Sequence, residues 1–544
     1  MVPAPSVDPE LDSLEREIVD HVFVLVPGAG IALGLHQYDG ILPDYSSSAT
    51  EHWAAQADRL LHRLSERATS PLSPDRKIDC ALLRLFLESP LFDVREARVL
   101  DRNPMTYVGS FSLTPYLVRE YAPAADRVRA IVSVLRSVPQ FLEDARRRLT
   151  GPLPRPFVEL ALSIGGGLPA HFKEGETFAE RAGLAAEVRG ARSSAVAALA
   201  RFVEWLREEE APRATAEFAL GSERYRRLLF VREGIETPIE EVHRAGAADL
   251  ARNQARLDTI AQEEKVAVAE LFHRLALDHP TASEVVPTAH GFVEETREFV
   301  RERDLVSIPE PVRVRVEETP VWGRALSTAS MDSPGPFDTG PEGVYYVTPV
   351  DASWTPVQQE EWLRSLNRTM LRNITVHEVF PGHYLQYLHW RTGSGSLTRK
   401  VYSSTSFVEG WAHYTEQLVI EAGLGAPGRN AEVAQLHDAL LRDCRLLASV
   451  GLHTAGWSLE QATELFQREA HYDRLPAERE AIRGTFNPEY FCYTMGKLAI
   501  LDVRARTLAS QFGGSLKRFH DTLLSFGSPP IGLLPVLVAG ASPA

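Results

Sequence analysis

The sequence predicts a mainly α protein, large and multi-helical, with one small β-sheet. Three observations lead there. Apolar residues recur at helical spacing along most of the chain, period-two alternation is confined to one stretch at 309–350, and no fixed-period repeat or long low-complexity tract intervenes. With 544 residues the chain is several domains' worth of polypeptide and can bury a sizeable core. The expected organisation is an N-terminal helical region over 1–200 and a second helical region over 201–544, with the β element inside it. The two are expected to form one intertwined unit, because no stretch is sharp enough to be a linker.

The bulk composition narrows the function classes. Hydrophobic residues make up 44% and charged residues 24%, as in an ordinary globular protein. A formal net charge of −15 leaves no surplus of Lys and Arg to neutralise phosphates, which argues against a nucleic-acid partner. Three cysteines (Cys80, Cys444 and Cys492) are too few for a disulfide framework and lack metal-ribbon spacing, so they read as small buried apolar residues. The first residues, MVPAPSVDPE, hold prolines and acids where a secretory leader needs positive charge and then an apolar run. No run of 18 apolar residues occurs, so no membrane span and a cytoplasmic location are expected.

Taken in order, residues 8–25 and 50–66 show helical apolar spacing, with Leu60, Leu61 and Leu64 on one face of the latter. A third helix over 125–150 should stop at GPLPRP, where prolines remove backbone donors. The segment IGGGLPAHF (164–172) reads as a loop; without a following GK[ST] it is no phosphate-binding loop. Residues 177–277 are helical nearly throughout. Within them Thr237 is an N-cap candidate, Pro238 a first helical residue, and Gly246 a possible break. VRVRVEE (312–318) and VYYVTPV (344–350) read as strands, and STASMDSPGPFDTGPEG between them as a loop. A strand here could offer its edge to an extended substrate backbone, or be a structural hairpin. Helices follow at 356–391, 405–423, 430–453, 459–473 and 488–512.

The chemistry concentrates in NITVHEVFPGHYLQYLH (373–389). His377 and Glu378 begin it, and His383 follows six residues after His377. In the common metallopeptidase pattern two His stand four apart on one helix face, and the Glu beside the first acts as general base. A spacing of six would leave the two rings about 120° apart on a regular helix. Pro381 and Gly382 supply the needed irregularity, so a kink or bulge is expected there. A catalytic zinc site needs a third protein ligand. SFVEGWAHYTEQLV (406–419) places Glu409, His413 and Glu416 at i, i+4 and i+7, one face of the next helix. Glu409 is the candidate third ligand, and His413 or Glu416 could hold a ligand imidazole from behind. Singly, each motif is as ordinary as a solvated helix face. Together, around a Pro-Gly break, they point to a metal.

These two motifs resemble the signatures of the DUF885 family, a group of large, mainly helical, metallopeptidase-like proteins. LGSERYRRLLFVREGIETPIEEVHRAGAADL (220–250), RLLASVGLHTAGWSLEQATELF (445–466) and PEYFCYTMGKLAILDVR (488–504) add further matches. The resemblance spans about residues 220–504; the first 200 match in helical character alone. It implies a gluzincin-like fold around a deep cleft, with His377, His383 and Glu409 as metal ligands and Glu378 as general base. It also draws attention to Tyr493 and His453 as oxyanion stabilisers, and to Lys497 and Arg504 as partners of a substrate carboxylate. The chain departs from the family pattern at Tyr384, Ser449, Glu489 and Tyr490, all expected to face the cleft.

The expected function is that of a zinc-dependent hydrolase, cleaving an amide bond in a small peptide or other amide-bearing substrate with a metal-activated water. Mn²⁺, Co²⁺ or Fe²⁺ would suit the same ligands. Two other readings remain: a metal enzyme acting on a non-peptide C–N or C–O bond, and a peptide-binding protein whose site has decayed.

Overall fold

Helices dominate the protein in a computed structural model that describes residues 8–320, 323–324, 327–338, 340, 342–393, 395–425 and 427–541. Residues 1–7, where the proline-rich start was read, lie outside this range. All three cysteines are free and buried. Among the described residues, no helix is long and apolar enough to cross a membrane. The chain divides into two compact units: Met1–Leu220 with Gly335–Gly340 and Ser396–Val401, and Gly221–Pro334 with Pro341–Gly395 and Tyr402–Ala544.

In the first unit the helices Pro9–Leu25, Ser47–Ala68 and Pro74–Arg95 start on Asp8, Ser46 and Ser73, whose side chains accept from backbone N–H groups of the first turn. Their apolar faces meet around Leu11, Leu14, Ile18, Trp53, Leu60, Leu83 and Leu87. The later segment Ser396–Val401 joins them: Thr398 donates its backbone N–H to buried Glu15 at 2.7 Å, and Arg399 pairs with buried Asp79. Helix Ala124–Arg148 ends at the expected Gly-Pro stretch. The expectation of a loop at 164–172 is corrected: these residues lie within one helix, Arg155–Arg181. Buried Phe157, Val158, Ala161, Leu168 and Phe172 keep helical spacing through the glycines. Gly165 is needed for packing, since a Cβ there would meet Val203 Cγ2 at 2.7 Å, whereas Gly166 and Gly167 face open space. Tertiary packing here offsets about 1 kcal/mol of propensity per glycine.

The second unit begins, after a shorter helix, with α1 (Ile239–Glu264), which starts on Pro238 rather than Thr237. Gly246 does not break it. A Cβ at Gly246 would meet Leu446 Cδ2 at 2.5 Å, so the glycine lets α1 lie close on its neighbour α5, introduced below. The sheet has three strands rather than two: β1 (Arg313–Glu318), β2 (Ala329–Asp332) and β3 (Glu342–Val347), in the order β1-β3-β2. β1 runs parallel to β3 with Arg313 opposite Glu342, and β2 runs antiparallel with Ala329 opposite Val347. The extra strand β2 comes from the stretch read wholly as loop. Its four residues are too few to show alternation, and pairing with buried β3 selects their conformation.

The predicted 356–391 helix is three helices: Pro356–Ser365, α2 (Arg368–Glu378) and α3 (His383–Thr392). A capping box of Thr355 and Gln358 starts the first, and the Asn367 side chain caps α2. Then follow α4 (Thr405–Glu421), α5 (Asn430–Thr454), a helix at Leu459–Glu469, α6 (Arg474–Phe486), a single turn Pro488–Phe491, and α7 (Cys492–Thr507). α6 was not anticipated as a separate helix. α5 is the core of this unit, with every residue from Ala439 to His453 buried. Arg442, Asp443 and Arg445 therefore need charged or polar partners inside the protein. α4 and α7 cross with their backbones in contact. A Cβ on Gly410 would lie 2.4 Å from Gly496 Cα, and one on Gly496 would lie 1.9 Å from the Ser406 carbonyl oxygen.

Candidate metal centre

α2 ends just after His377, and α3 begins on His383. The residues between do not merely kink a helix; they separate two. Gly382 donates its N–H to the Val376 carbonyl at 3.0 Å, and a Cβ on it would fall 1.8 Å from the His377 carbonyl oxygen. Only glycine permits this approach. The break turns the two imidazoles toward each other, with centroids 4.7 Å apart and planes at 85°. The Trp411 indole N–H, from α4, donates to the Pro381 carbonyl at 2.8 Å and ties the break to the helix that carries Glu409.

Glu409 Oε2 lies 3.5 Å from His377 Nε2 and 3.6 Å from His383 Nε2, and the ligand atoms of all three residues fall within 4.8 Å of one another. Ligand atoms bound tetrahedrally about 2.1 Å from a zinc ion stand about 3.4 Å apart. The two distances from Glu409 suit such an ion. The electrostatics fit as well. Burial pushes the Glu409 carboxyl up, but the two facing imidazoles more than offset this and hold it far below the usual carboxylate range. Burial favours the neutral His377 ring, yet Glu409 and Glu416 together lift its pKa to about 9. Carboxylates that attract a proton this strongly would equally favour a divalent cation in its place.

A dense polar layer stands behind these ligands. Fully buried Glu416 accepts from His377 Nδ1 at 2.6 Å, and His413 Nδ1 lies 3.4 Å from its other oxygen. This directs His377 Nε2 toward Glu409. Arg442, on α5, grips both Glu416 oxygens at 2.9 Å. Burial raises the Glu416 carboxyl, but Arg442 and His377 hold it well below its ordinary range, so it stays ionised. Arg442 escaped the sequence reading. In ALLRDCRLL it resembles a polar interruption of an apolar helix, and the only signal was a charge on a helix otherwise buried all round.

The three candidate ligands line a cavity of about 1280 Å³ together with Glu378, Tyr493 and residues 327–331 of the β2 segment. Burial pushes the Glu378 carboxyl up, opposed by His383 and His377 and by the Met331 backbone N–H of β2. A carboxyl so placed suits proton transfer. Tyr493 is half-buried, with the Arg442 and Arg445 guanidiniums 5.7 and 5.2 Å from its ring centre.

Three other candidates stand outside the cavity lining. Lys497 is fully buried with its Nζ 2.6 Å from Asp249, beside the Asp443 carboxylate held by Asn253 and Thr494. Arg504 pairs with Glu421 at 2.8 Å and reaches the Tyr414 hydroxyl. The His453 ring N–H donates to the Gly484 carbonyl at 2.9 Å, and the ring stacks on Tyr225. The residues that depart from the family pattern do not line the cavity either. Tyr384 bonds both backbone groups of Arg313, Ser449 meets Tyr225 and Pro488, Glu489 pairs with Arg232, and Tyr490 bonds Glu480.

Fold and site define a large, mainly helical protein with a buried His–His–Glu cluster open to a cavity. Its residues 27–538 match the family described as "Bacterial protein of unknown function (DUF885)", and the chain belongs to that family. It is similar to two solved structures. One, from Shewanella oneidensis, is described as "a putative lipoprotein of unknown function"; it is 24% identical, with a TM-score of 0.80 over 97% of this chain and 99% of that one. The other, from Colwellia psychrerythraea, is described as "the putative lipoprotein"; it is 17% identical, with a TM-score of 0.83 over 98% of this chain and 99% of that one. At these identities the likeness concerns the fold alone. No curated protein matches the chain.

Proposed function

We propose that the protein is a zinc-dependent hydrolase with a gluzincin-like cleft, cleaving an amide bond in a small peptide-like substrate. The observation that carries this reading is the convergence of His377, His383 and Glu409, with ligand atoms within 4.8 Å of one another, in a cavity wall, with Glu378 next to the first ligand in the chain. A bound divalent cation would supply Lewis-acid polarisation of a carbonyl and a nucleophile at neutral pH. Glu378 would accept the proton of the attacking water and return it to the leaving nitrogen, a role suited to a carboxyl whose affinity for protons burial has raised. The Tyr493 hydroxyl would donate to the oxygen that becomes negative as the carbonyl turns tetrahedral. β2 is an edge strand, and residues 327–331 line the cavity, which suits an extended substrate backbone lying beside it.

The deciding experiment is metal content by plasma mass spectrometry on protein purified without chelators, beside His377→Ala. About one zinc per chain, lost in the variant, is expected. Glu378→Gln should keep the metal and abolish turnover in a peptide screen. A wild-type protein that takes up no metal even after incubation with zinc would overturn the reading in favour of peptide binding without catalysis.

A further inference from the structure

We propose that the cavity wall built by α5, α6 and the start of α7 is an anion-recognition track, and that the substrate bears a free carboxylate received by Arg479 and Arg483. The assignment deepens the hydrolase reading above and rests on it for the identity of the site.

Guanidiniums and phenol rings alternate along this wall. Arg442 lies 5.7 Å from the Tyr493 ring centre and Arg445 lies 5.2 Å from the same ring. Arg445 is also 5.3 Å from the Tyr490 ring, and Arg483 is 5.4 Å from it. At its inner end the series touches the metal cluster, since Arg442 Nη2 lies 3.2 Å from His377 Nδ1. At its outer end Arg483 is exposed on α6, one turn beyond exposed Arg479. All four arginines line the cavity.

The two inner arginines are committed. Arg442 holds Glu416, and Arg445 holds Glu480 with two contacts of 2.8 Å, while the Tyr490 hydroxyl donates to the same carboxylate. The two outer ones are not. Among the described residues, neither Arg479 nor Arg483 has a carboxylate within ion-pair distance or an acceptor for its N–H groups. Asp473, which precedes α6 and also lines the cavity, pairs with neither. Of the other carboxylates that line the cavity beside this wall, Asp438 on α5 accepts from the Asn373 side chain at 2.7 Å, so the outer two guanidiniums keep their charge for a ligand.

Two like charges one helical turn apart repel. The cation–π contact of Arg483 with the Tyr490 ring, 5.4 Å from its centre, offsets part of this repulsion. The planar fork of a guanidinium matches a carboxylate. Lys497 and Arg504, the cations expected from sequence to take this role, are spent on Asp249 and Glu421.

The test uses two probes, an N-dansyl tripeptide of neutral residues with a free C-terminal carboxylate and its C-terminal amide twin. Binding to zinc-loaded Glu378→Gln protein is followed by fluorescence anisotropy. The acid should bind about tenfold more tightly than the amide, the size expected of one charge-assisted pair in a partly shielded site. In a protein that also carries Arg479→Gln and Arg483→Gln, the two should bind within about twofold of each other, with amide affinity unchanged. Both arginines are exposed, so the thermal midpoint should not move. Equal binding of the twins, a preference that survives the double substitution, or no saturable binding of either probe would overturn the assignment. A preference lost as expected, in a protein whose wild type hydrolyses no peptide, would leave the track standing and sink the hydrolase reading instead.

Discussion

Arg442→Ala should lower stability and zinc affinity together. In the protein Arg442 grips both oxygens of Glu416, which has no exposure to solvent and orients His377. Removing the guanidinium leaves a buried carboxylate facing only His377 and His413. Breaking one side of a buried ion pair costs about 3–5 kcal/mol. At the lower end of the 2–4 °C per kcal/mol typical of large domains, the thermal midpoint should fall by roughly 6–10 °C. A proton would then settle on the Glu416 pair, and His377 would lose its fixed orientation. Losses of that kind lower metal affinity by roughly 10- to 100-fold. The double variant Arg442→Met, Glu416→Gln removes both charges, so it should regain most of the stability but not the zinc affinity, because an amide orients an imidazole less firmly. Guanidinium unfolding and competition for zinc with a chromophoric chelator read the two quantities separately. If Arg442→Ala unfolds within about 1 kcal/mol of wild type and binds zinc as tightly, the proposed role of the layer behind the ligands is wrong.

Other consequences can be checked in the same way. Gly496→Ala would drive a methyl to 1.9 Å from the Ser406 carbonyl oxygen, a clash that no rotamer relieves. It should cost about 3 kcal/mol or more, seen as a lower unfolding midpoint, and an unchanged midpoint would show that α4 and α7 can part freely. Tyr493→Phe should leave metal content unchanged and lower turnover by about 10²-fold or more with little change in KM, the signature of a lost oxyanion donor; a rise in KM alone would make Tyr493 a simple binding contact. Glu233 is buried, accepting from the Ser404 hydroxyl and the Ser406 N–H at the start of α4, and burial raises its carboxyl pKa to about 7. An acid raised on folding gives stability below its unfolded value, near 4.5, which is lost as pH rises through 7. Wild type should therefore lose up to about 3 kcal/mol relative to Glu233→Gln between pH 4.5 and 7.5, and parallel pH profiles of the two proteins would refute the assignment.

Much of this architecture is legible in the sequence, and where it is not the reason is physical. The α1, α4 and α5 segments announce themselves by apolar spacing. His377, His383, Glu409 and Glu416 meet in space as their spacing and the Pro381-Gly382 break suggested. The 155–181 helix is obscured because glycines read as loop until Val203 explains the close approach at Gly165. β2 is too short to carry a pattern and takes its conformation from β3. Arg442 and Arg445 escape the sequence reading and Lys497 misleads it, because local sequence gives a charge but not its partner. Lys497 reads as a cation available to substrate, yet Asp249, nearly 250 residues earlier in the chain, occupies it. Tyr490 and Tyr384 likewise read as cleft residues, but their hydroxyls are taken by Glu480 and Arg313.

The bond from the Trp411 indole to the Pro381 carbonyl limits how such a centre can be altered. It couples two segments 30 residues apart, so a change that moves His383 also acts on the helix that carries Glu409. Anyone redesigning the site for a different cation geometry would find that a shift at one ligand drags the other. The outer wall on α6 is the freer handle, since its exposed arginines can be exchanged without touching the ligand helices.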